Sequence, residues 1–212
     1  MCDETQPDGG RQNQQEEQSR FFAYISRMRY ITRWSLMRNS FSENVQEHSH
    51  MVAVFAHALA VIRNELFSGH VDPGEAVIAA LYHDATEILT GDMPTPIKYY
   101  NPEIKNSYRK VEAVAADKLI AMLPEELRGV YRSAFVVESR EIRQIVKAAD
   151  KLSAYFKCVE EMKAGNREFR SAAAQTRAAL EGMRLPELDY FLAHCAESFS
   201  LTLDELEKET GK

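Results

Sequence analysis

The chain has 212 residues, 45% of them apolar and 27% charged, with nine glycines and seven prolines. That length holds one domain with a substantial core, and the composition excludes collagen-like, membrane-spanning and wholly disordered classes. With 26 basic against 32 acidic residues the net charge is −6, which disfavours a general nucleic-acid binder, because duplex binding rests on many phosphate contacts.

Residues 1–18 carry five glutamines and scattered charge with almost no apolar side chain, the composition of a disordered tail; the folded domain is expected over 19–212. The tail has no apolar h-region and no window approaches the ~20 apolar residues of a membrane span. Cys2, Cys158 and Cys195 form neither a disulfide framework nor a C-x-x-C pair. These features point to a reducing, cytoplasmic setting. No G-x-G pair occurs, so any phosphate must be held by side chains or metal instead of a backbone cradle.

From Arg20 the apolar spacing is helical, and the one strand-like run is Phe135-Val136-Val137. The reading is all-α, with helices near 20–37, 44–67, 73–90, 102–122, 125–134, 140–163, 167–184, 186–197 and 203–209. Asn44 with Glu47, Asp72 before Pro73, and Asn101 before Pro102 mark starts; Gly91 and Gly165 mark stops.

The helix expected over 44–67 carries a stripe of Val45, His48, Val52, Phe55, Leu59, Ile62 and Leu66 at alternating intervals of three and four. His48 lies in it; alone, it would read as a core histidine with a hydrogen-bond partner. His50 and His57 face elsewhere. In the next helix, Val77, Leu81, Asp84 and Ile88 place a carboxylate on a buried stripe, beside His83 and one turn from Glu87. In the helix over 140–163, Asp150 falls within the face of Ile142, Ile145, Val146, Ala149, Leu152, Ser153 and Phe156. Three helices thus bring two imidazoles and two carboxylates inward. Such an N2O2 set suits Mn, Fe, Co or Zn; the ordinary alternative is a network of core polar pairs.

His48, His83-Asp84 and Asp150, in that order on separate helices, resemble the H…HD…D signature of the HD-domain metal-dependent phosphohydrolases. Arg33-Trp34-Ser35-Leu36-Met37-Arg38, Glu43 to Ser49, Tyr82 to Glu87, Gly91 to Tyr99 and Lys147 to Asp150 are similar, within that superfamily, to the bacterial 5′-deoxynucleotidases. The resemblance implies a single-domain HD-type helical bundle that removes phosphate from deoxyribonucleoside 5′-monophosphates. It implies one divalent metal, Co, Mn or similar, on His48, His83, Asp84 and Asp150. It implies that Arg33 orients the phosphate, Trp34 packs at the sugar, and Asp92, Met93, Pro94 and Thr95 form a loop on the nucleotide. Asp84 and Asp150 would also touch substrate. Arg33, Asp84 and Glu87 would serve catalysis, with Glu87 as general acid or base.

The residues around this pattern fit an anion site. From Ser19 to Ser42 there are five arginines and no acidic residue, a run that by itself could be a solvated basic face. Arg33 adjoins the only tryptophan, so a guanidinium and a flat ring are adjacent. Two alternatives stand beside this reading: a related HD phosphohydrolase acting on another nucleotide, and a non-catalytic HD module that senses a ligand. The resemblance also implies a homodimer. Leu185, Leu188, Tyr190, Phe191 and Leu192 offer apolar surface for it, unless they close the core.

Overall fold

The computed structural model describes residues 18–98 and 100–208; apart from Gln18, the expected tail lies outside the described residues. The helices are α1 (Phe21–Ile25), α2 (Val45–Phe67), α3 (Pro73–Tyr82), α4 (Glu87–Thr90), α5 (Thr95–Lys98), α6 (Pro102–Ala121), α7 (Glu125–Phe135), α8 (Arg140–Lys163), α9 (Arg170–Glu181), α10 (Pro186–His194) and α11 (Leu203–Leu206). Short 3₁₀ turns at Ser26–Tyr30, Arg167–Phe169 and Glu197–Ser200 link them. No strand occurs among the described residues beyond one isolated bridge, Thr32 to Asn44. Phe135-Val136-Val137 ends α7 instead of pairing.

The marked helix starts are used as their chemistry requires. Asn44 and Glu47 form a reciprocal capping box on α2, Asp72 Oδ1 accepts the N–H groups of Gly74 and Glu75, and Asn101 Oδ1 accepts that of Ile104. Gly91 and Gly165 follow α4 and the end of α8 with φ of 73° and 86°, a conformation that strains any residue with a Cβ.

The centre of the fold is α2, packed against α3, α8 and α10. Val52, Phe55 and Leu59 meet Ile145, Leu152 and Phe156 of α8 and Leu188 and Phe191 of α10 in one cluster, each burial contributing about 1.5–3 kcal/mol. Leu185, Leu188 and Phe191 are therefore committed to the core, and of the C-terminal apolar set only Tyr190 and Leu192 keep part of their surface.

Two expected helices are interrupted, and both interruptions form the site. The helix expected over 20–37 ends at Tyr30. Beyond Met28 the segment has no stripe to bury, since Leu36 and Phe41 are exposed. It runs as a loop in which Arg33 N–H donates to the Glu43 carbonyl at 2.9 Å and Trp34 takes a φ of 58°. The helix expected over 73–90 breaks after Tyr82. There His83 Nδ1 takes the Ala80 carbonyl at 2.7 Å, and the turns tighten to i→i−3 bonds from Ala85 to Tyr82 and from Glu87 to Asp84. The stripe of Val77, Leu81, Asp84 and Ile88 is accordingly not the buried face: Leu81 is exposed, and α3 buries Ala76, Ala79 and Ala80, whose small side chains allow close approach to α2. On α2, Leu66 is likewise exposed. Helix α5 falls in a proline-rich stretch expected to be a loop.

Candidate active site

Four groups from three separate parts of the chain converge. His48 comes from the first turn of α2, His83 and Asp84 from the turn after α3, and Asp150 from the middle of α8. His48 Nε2 lies 3.2 Å from Asp150 Oδ1 and 3.6 Å from Asp84 Oδ2, and His83 Nε2 lies 3.1 Å from Asp84 Oδ2. The donor atoms of His48, His83 and Asp150 all fall within 4.8 Å of one another. His48 is fully buried and Asp84 is largely so, at 17% side-chain exposure, but Asp150 is 40% exposed. The sequence expectation of a buried Asp150 is thus corrected: it stands at the rim of the α8 face, open to a ligand from solvent.

The far nitrogens of the two imidazoles are already engaged. His83 Nδ1 must donate to the Ala80 carbonyl, so its neutral form presents a bare lone pair at Nε2; His48 Nδ1 lies 3.0 Å from Ser153 Oγ. Both Nε2 atoms are buried and make no well-aligned hydrogen bond among the described residues. Two buried nitrogens directed at one point, with carboxylate oxygens beside them, fit the donor set of a divalent transition metal and are unfavourable as a self-contained core network.

The loop before α2 faces this centre. Arg33 Nη1 donates to Asp84 Oδ2 at 3.3 Å, while Arg33 Nε and Trp34 Nε1 both donate to Glu43 Oε2, at 3.0 and 2.9 Å. The Trp34 ring rests on Phe169, their centroids 5.4 Å apart. On the other side, Glu87 begins α4, and its Oε2 is buried without a hydrogen-bond partner among the described residues. Asp92, Met93 and Pro94 are half-buried in the loop after Gly91, and Thr95 opens α5, its side chain outside the described set.

Burial opposes charge on His83, yet the Asp84 carboxylate overrides it and lifts the imidazole to about 9; the neighbouring imidazoles and Arg33 in turn hold Asp84 well below the usual carboxylate range, against the pull of burial. Glu87 goes the other way. Burial and then the negative charges of Asp84 and Asp92 push it up to about 9, only partly offset by Arg33 and Lys98. A carboxyl poised to carry a proton at neutral pH stands beside one that cannot.

Because Glu87 is raised above its ordinary value of 4.5, the fold favours its protonated form, and that stabilisation is present below the ordinary value and lost as pH rises toward 9. In metal-free protein, Glu87→Gln is expected to match the wild-type Tm near pH 4 and exceed it increasingly up to pH 9. Thermal melts in which the two curves stay parallel across that range would refute the shift.

A family model for "5′-deoxynucleotidase YfbR-like" matches residues 20–199. The chain belongs to that family. It is 52% identical over 195 residues to a 5′-deoxynucleotidase of Pectobacterium atrosepticum, covering 91% of this chain and 98% of the relative. It is 50% identical over 192 residues to one of Vibrio vulnificus, covering 90% and 99%. Among solved structures it resembles an HD-domain phosphohydrolase of Listeria innocua, with a TM-score of 0.75 at 22% identity over 90% of this chain and 92% of that one. It also resembles an HD phosphohydrolase of cyanophage S-2L, with a TM-score of 0.61 at 19% identity over 85% and 96%, described as bound to dA and one catalytic Zn2+ ion. The fold is the HD-type all-α bundle.

Several side chains packed around this cluster carry only faint sequence signals. Ser153, behind His48, reads as one more small residue on the α8 face. Glu43 opens one of the blocks that carry the family resemblance, but nothing in the sequence assigns it a partner. Lys98, which donates to Glu112 Oε1 at 2.8 Å, lies in the stretch expected as a loop.

Proposed function

We propose that this chain is a metal-dependent 5′-deoxynucleotidase that converts deoxyribonucleoside 5′-monophosphates to deoxyribonucleoside and phosphate, with residues 19–212 as the catalytic unit. The observation that carries the reading is the meeting of two imidazole Nε2 atoms and two carboxylates with one guanidinium, in a chain about half identical to 5′-deoxynucleotidases. His48, His83, Asp84 and Asp150 would hold one divalent ion, of the Co or Mn kind. When bound, such an ion supplies Lewis-acid polarisation of a phosphate oxygen and activation of water.

The protein's own groups do the rest. Arg33, with Nε on Glu43 and Nη1 on Asp84, turns its remaining edge to the phosphoryl oxygens and offsets their charge. Glu87, protonated near neutrality, donates to the departing 5′ oxygen. Trp34 packs at the sugar, and the loop of Asp92, Met93, Pro94 and Thr95 contacts the nucleotide. Nucleic-acid polymer and membrane are not partners in this reading. No helix among the described residues is long and apolar enough to cross a membrane. The enzyme would work in the cytoplasm as a homodimer. With Leu188 and Phe191 spent in the core, exposed Val54 on α2 and Ile78 and Leu81 on α3 offer surface for the partner copy.

Phosphate release from dAMP and AMP, with Co, Mn, Mg and Zn in turn, tests the assignment. The wild type is expected to prefer dAMP by at least about tenfold in kcat/KM, and Trp34→Ala to reduce the preference to within about threefold. Equal rates on the two nucleotides in the wild type would remove the deoxy assignment; no release from either with any of the metals would overturn the reading in favour of another nucleotide substrate or a non-catalytic module.

A further inference from the structure

We propose that Glu43 is a positioning residue that couples Arg33 to Trp34, so that phosphate charge and sugar shape are read by one rigid unit; this rests on the nucleotidase reading of the site. One carboxylate oxygen, Glu43 Oε2, accepts from both Arg33 Nε and Trp34 Nε1, at 3.0 and 2.9 Å. The Glu43 side chain is only 15% exposed, so both bonds are shielded from competing water. The main chain repeats the tie: Arg33 N–H donates to the Glu43 carbonyl at 2.9 Å, next to the bridge between Thr32 and Asn44. Immediately after Glu43, the Asn44 capping box starts α2, whose first turn carries His48. Glu43 is therefore the junction between a metal-ligand helix and the substrate-facing loop.

Two features show why a clamp is required. Trp34 sits at φ 58°, a region that bulky side chains populate only when their surroundings hold them there. Its ring is held from two sides, by Phe169 beneath and by Glu43 at the indole nitrogen. Arg33 is restrained at Nε by Glu43 and at Nη1 by Asp84, so the planar guanidinium is fixed in orientation with Nη2 left over. Without Glu43 the two side chains would move independently, and the pocket would no longer require a phosphate and an unhindered 2′ carbon at a set separation.

The test compares Glu43→Gln, which keeps an acceptor oxygen and drops the charge, with Glu43→Asp, which keeps the charge and withdraws the oxygen, and with Glu43→Ala. Glu43→Ala and Glu43→Asp are expected to raise KM for dAMP about tenfold with a smaller change in kcat, and to lower the dAMP over AMP ratio by a similar factor. Glu43→Gln should stay within about threefold of wild type in both. Bound cobalt should be unchanged in all three. Trp34 is the only tryptophan, so its fluorescence in metal-free protein supplies a reading independent of turnover. Weaker quenching by dAMP in the Ala and Asp variants, with Gln close to wild type, supports the clamp; if Ala does not fold, the Asp and Gln pair decides. A wild-type KM and dAMP over AMP ratio in Glu43→Asp overturns the proposal while leaving the nucleotidase reading intact. A wild type that neither binds nor hydrolyses dAMP overturns both.

Discussion

Asp84→Ala is expected to reduce phosphate release from dAMP by at least about 10³-fold and to lower the metal content of purified protein. The size of the effect follows from how many groups meet this one carboxylate. Oδ2 lies 3.1 Å from His83 Nε2, 3.6 Å from His48 Nε2 and 3.3 Å from Arg33 Nη1. On the proposed reading alanine would remove one ligand oxygen; it also releases the Arg33 guanidinium from Asp84 and leaves the His48 and His83 imidazoles without the charge that complements them. It also changes Glu87: burial is the first cause of its rise to about 9 and repulsion from Asp84 the second, so the carboxyl proposed as the leaving-group acid would become more acidic. Asp84→Asn separates charge from shape, because the amide fills the same space with no negative charge, and it too should fail. Parallel measurements of phosphate release and bound metal check this. Activity within about tenfold of wild type in either variant would exclude Asp84 from the centre.

The helical framework and the four converging groups were legible in the sequence for a definite reason. Period-3.6 spacing reports which face of a long helix is buried, and α2 and α8 are long, capped and continuous, so His48 and the face containing Ser153 could be placed from spacing alone. The reading weakened where a side chain competes with the backbone for a hydrogen bond. His83 takes the Ala80 carbonyl and stops α3, so Asp84 reaches the cluster from a tight turn and not from the buried stripe of a continuous helix. The Arg33 and Trp34 segment reads as helix in the sequence but folds as a loop for a different reason. Its conformation is set by Glu43, ten residues from Arg33, and by Glu161, more than a hundred residues beyond, and no local periodicity encodes such partners. Asp150 adjoins apolar positions on α8, which reads as core, but it lies at the lateral edge of the buried face, where a side chain stays open to solvent.

The largest expected effect on stability lies behind that loop. Glu161, on α8, is fully buried with Lys157, whose ammonium reaches it at 2.5 Å and also donates to the Phe41 carbonyl. Its two oxygens further accept the backbone N–H groups of Ser40 and Phe41 and the Asn166 amide, at 2.8 to 3.1 Å. Burial opposes this charge, and the Lys157, Asn166 and backbone donors override it, holding Glu161 at about 2. A carboxyl held below its ordinary 4.5 contributes stability that is present above that value and lost as pH falls toward 2. Glu161→Ala leaves a buried ammonium without its countercharge and two loop N–H groups unpaired, a loss expected to cost about 3–5 kcal/mol. For a chain of this size that corresponds to a Tm lower by roughly 6–20 °C at pH 7. Replacing the pair together, with Glu161→Leu and Lys157→Met, should recover a large part of the loss, because no charge is then left buried alone. Bound metal should be retained in the folded variants, which separates this lesion from Asp84→Ala, while KM for dAMP should rise because residues 31–43 lose their second anchor. Circular-dichroism melts of the single and double variants decide it. A Tm within about 2 °C of wild type for Glu161→Ala would mean that the cluster does not hold the loop to α8.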